Sequence, residues 1–231
     1  MKTIGLIGGI SWESSAVYYE LINQRTKALL GGFHSSKCLL WSVDFAEVEK
    51  LQMEDNWAAL DNMLVDIGQR LEKAGAELIL ICANTMHLCA PAMREHLSIP
   101  ILHIAEVTAA EIRRQGLNSV GLLGTRFTME KDFFRNILEE NGIEVLIPTD
   151  EDRREVHRII YEELVQGKIL EGSRQTYQRV IQRLGDRGAQ GVILGCTEIP
   201  LLIADDDVDL PTFNTTRLHA DRAVDEALKT D

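Results

Sequence analysis

Short, continuous apolar runs alternate with amphipathic stretches along this 231-residue chain. The strand-like runs are TIGLIGG (3–9), CLLWSVD (38–44), ELILICANT (77–85), PILHIAE (100–106), SVGLLGT (119–125), EVLIPT (144–149), GVILGCTE (191–198) and LPTFNTT (210–216). Helical patterns fill 12–30, 47–74, 87–97, 106–115, 128–141, 151–167, 170–187 and 217–229. A strand reads as an unbroken apolar run when both faces of its sheet are covered, which is the condition of parallel sheets flanked by helices. The fold class is therefore α/β.

The chain also repeats itself. AGAELILICANT and RGAQGVILGCTE align Gly75 with Gly188, 113 residues apart. GLIGG and GLLGT align Gly5 with Gly121, 116 apart, and IPILHIA and LPTFNTT align Pro100 with Pro211, 111 apart. Three pairs in one order at nearly one offset predict two similar halves. The first covers 1–105 and the second 106–216, with the last helix, 217–231, packing back on the first half. The expectation is two pseudo-symmetric parallel-sheet α/β domains. Ligands of such sheets bind at the carboxyl ends of the strands, so the active site is expected in the cleft between the domains. The offset of 113 sets Ala83 opposite Cys196, Asn84 opposite Thr197 and Thr85 opposite Glu198.

Bulk properties narrow the partners. A net charge of −12 argues against nucleic acid and anionic membranes. No apolar run is long enough to span a bilayer, and the N-terminus is too short for a signal peptide. Cys38, Cys82, Cys89 and Cys196 fit neither a zinc pattern nor a secreted disulfide framework. Reduced thiols in a cytoplasm are the simplest expectation. No two of the six histidines show metal-ligand spacing. They read mostly as structural, with His87 a weak candidate for chemistry.

The strand tips hold the candidate chemistry. Cys196 ends a strand just before a helix start at Thr197-Glu198-Ile199-Pro200, where the helix dipole and backbone N–H groups favour a thiolate. The alternative is a small buried hydrophobe. Cys82 lies one residue before Ala83 and so faces the other way. Asn84, Thr85 and Thr197 can cradle a carboxylate together with backbone amides, or can simply cap helices. Ser11 follows Gly8-Gly9 in the first loop, and Thr125 is its counterpart in the second half. Neither loop has dinucleotide or phosphate-loop spacing.

GLIGGISWESSAVYY, CANTMH, GLLGTRFTM, IIYEEL and GCTEIPLL, taken together and in order, resemble the cofactor-independent aspartate/glutamate racemase family, closest to its bacterial broad-specificity amino-acid racemase branch. The resemblance covers nearly the whole chain and implies an isomerase that uses neither pyridoxal phosphate nor metal. In the family one cysteine removes the α-proton from one face of the amino acid, and a second cysteine protonates the other. The first corresponds to Cys196. The second corresponds to Ala83, where no base exists, so the resemblance implies an atypical one-thiol site. A water or another polar group then serves the second face.

The resemblance further implies that Asn84, Thr85, Thr125 and Thr197 surround the substrate carboxylate, with Ser11 and Glu198 nearby. Gln52 and Lys168 are the positions that reach the distal group of aspartate or glutamate, although Lys168 also reads as a solvated lysine after Gly167. A homodimer is expected by analogy. Two alternatives stand beside the racemase. One is a single-cysteine decarboxylase of the same superfamily; the other is an amino-acid-binding protein that lost its chemistry at Ala83.

Overall fold

The structure, a computed structural model, describes residues 1–229. It divides into two compact units. The first comprises Met1–His103 and the segment from His219 onward; the second is Ile104–Leu218.

In the first unit the elements are β1 (Ile4–Gly8), α1 (Trp12–Leu30), β2 (Cys38–Ser42), α2 (Phe45–Met53), α3 (Trp57–Lys73), β3 (Leu78–Ile81), a 3₁₀ turn (Thr85–Cys89) and α4 (Ala90–His96). The strands pair in parallel in the order β2-β1-β3, and Ile101 adds a single parallel bridge to Ile79. Alternate side chains go to opposite faces. Ile7, Ile79, Ile81 and Ala83 pack with Val48 of α2 and Leu60 and Leu64 of α3. Ile4, Leu6, Leu78, Leu80 and Cys82 pack with Tyr18 and Ile22 of α1 and with Ala220, Ala223 and Val224 near the C-terminus. Each large side chain buried in this way contributes about 1.5–3 kcal/mol.

The second unit runs α5 (Ile104–Arg114), β4 (Ser119–Gly124), α6 (Arg126–Glu130), α7 (Asp132–Glu140), β5 (Glu144–Leu146), α8 (Asp150–Glu162), α9 (Glu171–Asp186), β6 (Val192–Gly195), α10 (Ile199–Leu202) and β7 (Thr212–Asn214). The last helix, α11 (Thr215–Leu228), leaves this unit and enters the first at His219. The sheet order is β5-β4-β6-β7, all parallel. Leu123, Val192, Leu194 and Cys196 face α8 and α9, while Val120, Leu122 and Ile193 face α5 and α7.

Strand register reproduces all three sequence offsets. Gly5 pairs with Ile79 in the first unit and Gly121 with Val192 in the second. The Ile79–Ile101 bridge matches the Val192–Thr212 pair. The two units thus share a topology strand by strand, and Ala83 and Cys196 occupy the same position in it.

Several elements differ from the sequence pattern. The run 100–106 is not a strand: Ile101 makes one bridge, and Ile104 and Ala105 already belong to the apolar face of α5 with Thr108, Ala109 and Ile112. The pattern 47–74 is two helices. Asp55 takes a positive φ of 51°, and the Asn56 side chain accepts the Ala59 N–H at 3.3 Å to start α3. The apolar periodicity runs through the break because Val48, Leu60 and Leu64 all cover one sheet face. The pattern 128–141 likewise divides at the extended residue Lys131. The pattern 87–97 starts two residues early as a 3₁₀ turn. No helix among the described residues is long and apolar enough to cross a membrane.

Candidate active site

In the second unit, β6 ends at Gly195, which pairs with Gly124 of β4 at close approach. A Cβ on Gly195 would lie 2.7 Å from the Leu123 carbonyl oxygen, so only glycine fits. Cys196 follows, 8% exposed. Its Sγ–H donates to Glu198 Oε2 at 2.9 Å, and the Thr197 hydroxyl donates to the same oxygen at 2.7 Å. Glu198 is itself buried. Thr125 stands at the end of the neighbouring strand, where its hydroxyl caps α6 by accepting the Thr128 N–H at 3.4 Å.

This geometry corrects the expectation of a thiolate. Burial pushes the Cys196 thiol well above its ordinary pKa, and the adjacent Glu198 carboxylate adds to the rise. The backbone N–H groups of Thr197 and Glu198 pull the other way and lose. The following helix, α10, has only four residues and offers little dipole. Cys196 is therefore a protonated thiol in the resting protein, hydrogen-bonded to the Glu198 side chain. Tyr177 lies behind it, fully buried, donating to the Val156 carbonyl at 3.2 Å. Burial is the main reason the Tyr177 phenol stays protonated, and the nearby carboxylates of Glu163 and Glu198 add to it.

The corresponding tip of the first unit carries Ala83, Asn84 and Thr85, all nearly buried. Cys82 turns to the opposite face of β3, packs against Leu80 and Tyr18, and has its thiol pKa raised by burial. No thiol replaces Ala83 by a slip of register. Gln52, on α2, reaches this tip: its Nε2–H donates to Met86 Sδ at 3.2 Å. Ser11 caps α1, accepting the Ser14 N–H at 3.4 Å. Lys168, in the second unit, is exposed and donates to Gln166 Oε1 at 2.7 Å.

Ser14, which the sequence did not mark, and His87, which it marked only weakly, complete the first tip. The Ser14 hydroxyl donates to the Cys82 carbonyl at 2.7 Å. His87 Nδ1 lies 2.9 Å from the Ala83 carbonyl and 3.2 Å from that of Asn84, so Nδ1 carries the proton. The His87 ring packs against His103 at 4.7 Å and His219 at 5.4 Å between centroids. His219 Nε2 donates to the Leu102 carbonyl at 2.8 Å, which leaves Nδ1 to accept the Tyr18 hydroxyl at 2.8 Å. All three imidazoles are buried, and burial lowers their pKa values to about 4 for His87, about 2 for His103 and about 3 for His219. They are neutral at pH 7. No spacing in the sequence brings 87, 103 and 219 together; only the return of α11 does. Among the described residues no group of three His, Cys, Asp or Glu side chains could hold a metal ion.

Residues 7–223 match the Asp/Glu/hydantoin racemase family. A Yersinia pestis protein assigned as a candidate Asp/Glu racemase is 51% identical, with 99% of this chain and all of that one covered and a TM-score of 0.94. An aspartate racemase homologue from Pyrococcus horikoshii is 35% identical over 99% and 100% of the two chains, with a TM-score of 0.88. The broad specificity amino-acid racemase RacX of Bacillus subtilis is 26% identical over 153 residues, 66% of each protein.

Proposed function

The chain belongs to the Asp/Glu/hydantoin racemase family, and from that premise we propose that it moves the α-proton of a small acidic amino acid, aspartate or glutamate, without an organic cofactor. Cys196 is the acid/base. Its thiol proton passes to Glu198, across the 2.9 Å hydrogen bond, and the thiolate so formed takes the proton from Cα. Charge left on the α-carbon spreads into the substrate carboxylate, which Asn84, Thr85, Thr125 and Thr197 hold. Ser11 lies at the edge of this set. Gln52 and Lys168 serve the distal group; Lys168 would leave Gln166 to do so. In this assignment Glu198 acts on the thiol first, because its Oε2 already receives the thiol and the Thr197 hydroxyl.

The second face has Ala83, whose methyl group can neither give nor take a proton. Water is the proton source there, so exchange on that face is slower. The observation that carries the reading is the buried Cys196–Glu198 pair at a strand tip whose counterpart in the repeat is Ala83.

The test is α-deuterium incorporation in D₂O, measured by proton NMR with L- and D-aspartate separately. Wild type should exchange one enantiomer at least tenfold faster than the other, and Cys196→Ser should lose the exchange. A folded wild-type protein that exchanges no proton from any amino acid tried would refute the reading. Carbon dioxide release from a malonate would assign the single thiol to decarboxylation instead.

A further inference from the structure

Three consecutive peptide carbonyls follow the end of β3, and each is claimed by a donor from within the first unit. Ser14 takes that of Cys82 at 2.7 Å. His87 Nδ1–H is shared between those of Ala83 at 2.9 Å and Asn84 at 3.2 Å. The His87 backbone N–H adds a second bond to Asn84 at 3.1 Å. These peptides are trans, and in a trans peptide the C=O and the following N–H point in opposite directions. The Ala83 and Asn84 oxygens share one donor, His87, so the N–H groups that follow them, those of Asn84 and Thr85, turn away from it together. Successive N–H groups sharing a direction make an anion-binding concavity.

The His87 ring is built into this role. It is fully buried and wedged between two other imidazoles. A ring that served only to fill this space would be better apolar, since taking imidazole nitrogens out of water costs free energy. What the imidazole has and a phenyl ring lacks is the Nδ1–H on Ala83 and Asn84.

We propose that His87 is a positioning residue for the carboxylate of the amino-acid substrate: by holding the Ala83 and Asn84 oxygens inward, it turns the amides and side chains of Asn84 and Thr85 toward that carboxylate. This rests on the racemase reading for the identity of the substrate. A carboxylate would otherwise meet peptide oxygens that repel it. His87 touches no reacting atom. Its effect appears in binding and in the developing charge, not in the thiol.

Three variants separate this role from mere packing. His87→Asn places an amide N–H where Nδ1 stands, His87→Gln places one nearer Nε2, and His87→Phe keeps a ring with no donor. Titration calorimetry with L-aspartate, the α-exchange assay, and amide NMR shifts of Asn84 and Thr85 are read on each. Expected is a Kd and KM raised on the order of tenfold in His87→Phe and His87→Gln, with near-wild-type values in His87→Asn. The Asn84 and Thr85 amide shifts should move in the first two and not in the third, while the rate of Cys196 alkylation stays unchanged in all three. Equal aspartate affinity in wild type, His87→Gln and His87→Phe would overturn the inference, as would equal losses in His87→Asn and His87→Gln. Should His87→Phe not fold, the Asn–Gln contrast decides. Wild type that binds aspartate but exchanges no proton, with binding still weakened in His87→Gln, would remove the racemase reading and keep the positioning role of His87. Wild type that binds neither aspartate nor glutamate removes both.

Discussion

The imidazole cluster makes the first unit sensitive to mild acid. His87, His103 and His219 have folded-state pKa values of about 4, 2 and 3, against the 6.5 of an unhindered imidazole. Each is depressed chiefly by burial, and the neighbouring imidazoles and Arg94 add positive charge that disfavours a proton on His103. For a histidine lowered in the folded state, the unfolded chain binds the proton first. The stability it contributes is complete above about pH 7 and is lost as pH falls through 6.5 toward the folded value. Between pH 7 and pH 5 each site loses about 2 kcal/mol, because the unfolded imidazole charges almost fully while the folded one does not. Three sites give about 5–6 kcal/mol, a large share of the roughly 5–15 kcal/mol that holds a domain together. The urea midpoint of the first unit should therefore fall by roughly 2–3 M between those pH values. Carboxylate ion pairs weaken mainly below pH 5, so this window isolates the imidazoles. His103→Leu should remove about a third of the pH dependence. A midpoint unchanged between pH 7 and pH 5, or the assigned His87, His103 and His219 resonances titrating near 6.5 in the folded protein, would refute the reasoning.

Other consequences follow from the second unit and from the repeat. Glu198→Gln removes the charge that holds the Cys196 proton, so the thiol pKa falls and alkylation by iodoacetamide at pH 8 accelerates; an unchanged or slower rate would contradict the assigned hydrogen bond. Ala83→Cys restores a thiol at the position matching Cys196, and deuterium exchange of the slower aspartate enantiomer should rise on the order of tenfold or more; no change would show that water is not the limiting proton source. Gly195→Ala forces a methyl against the Leu123 carbonyl and should lower stability by about 1–3 kcal/mol, read as an earlier thermal transition. Leu64→Ala, at a fully buried site on α3, should cost about 2–5 kcal/mol by the same measurement.

The alternation of apolar runs and amphipathic stretches, read alone, establishes the α/β class, the parallel strands and the duplication, because these are local periodicities repeated along the chain. It also pairs Ala83 with Cys196, since a repeat carries its register with it; the matching Gly5–Ile79 and Gly121–Val192 pairs bear that out. It goes wrong where one apolar run serves two elements, as at Ile101 and Ile104, or where two helices cover one sheet face, as α2 and α3 do. Only the tertiary structure sets the charge state of Cys196, because burial and the carboxylate of Glu198 together outweigh the backbone amides. Only it joins His87, His103 and His219, residues with no common spacing, by returning α11 to the first unit. A pattern of side-chain polarity records which face of an element is buried; it holds no record of which distant residue lies beside it there, and proton affinity and hydrogen-bond direction depend on that neighbour.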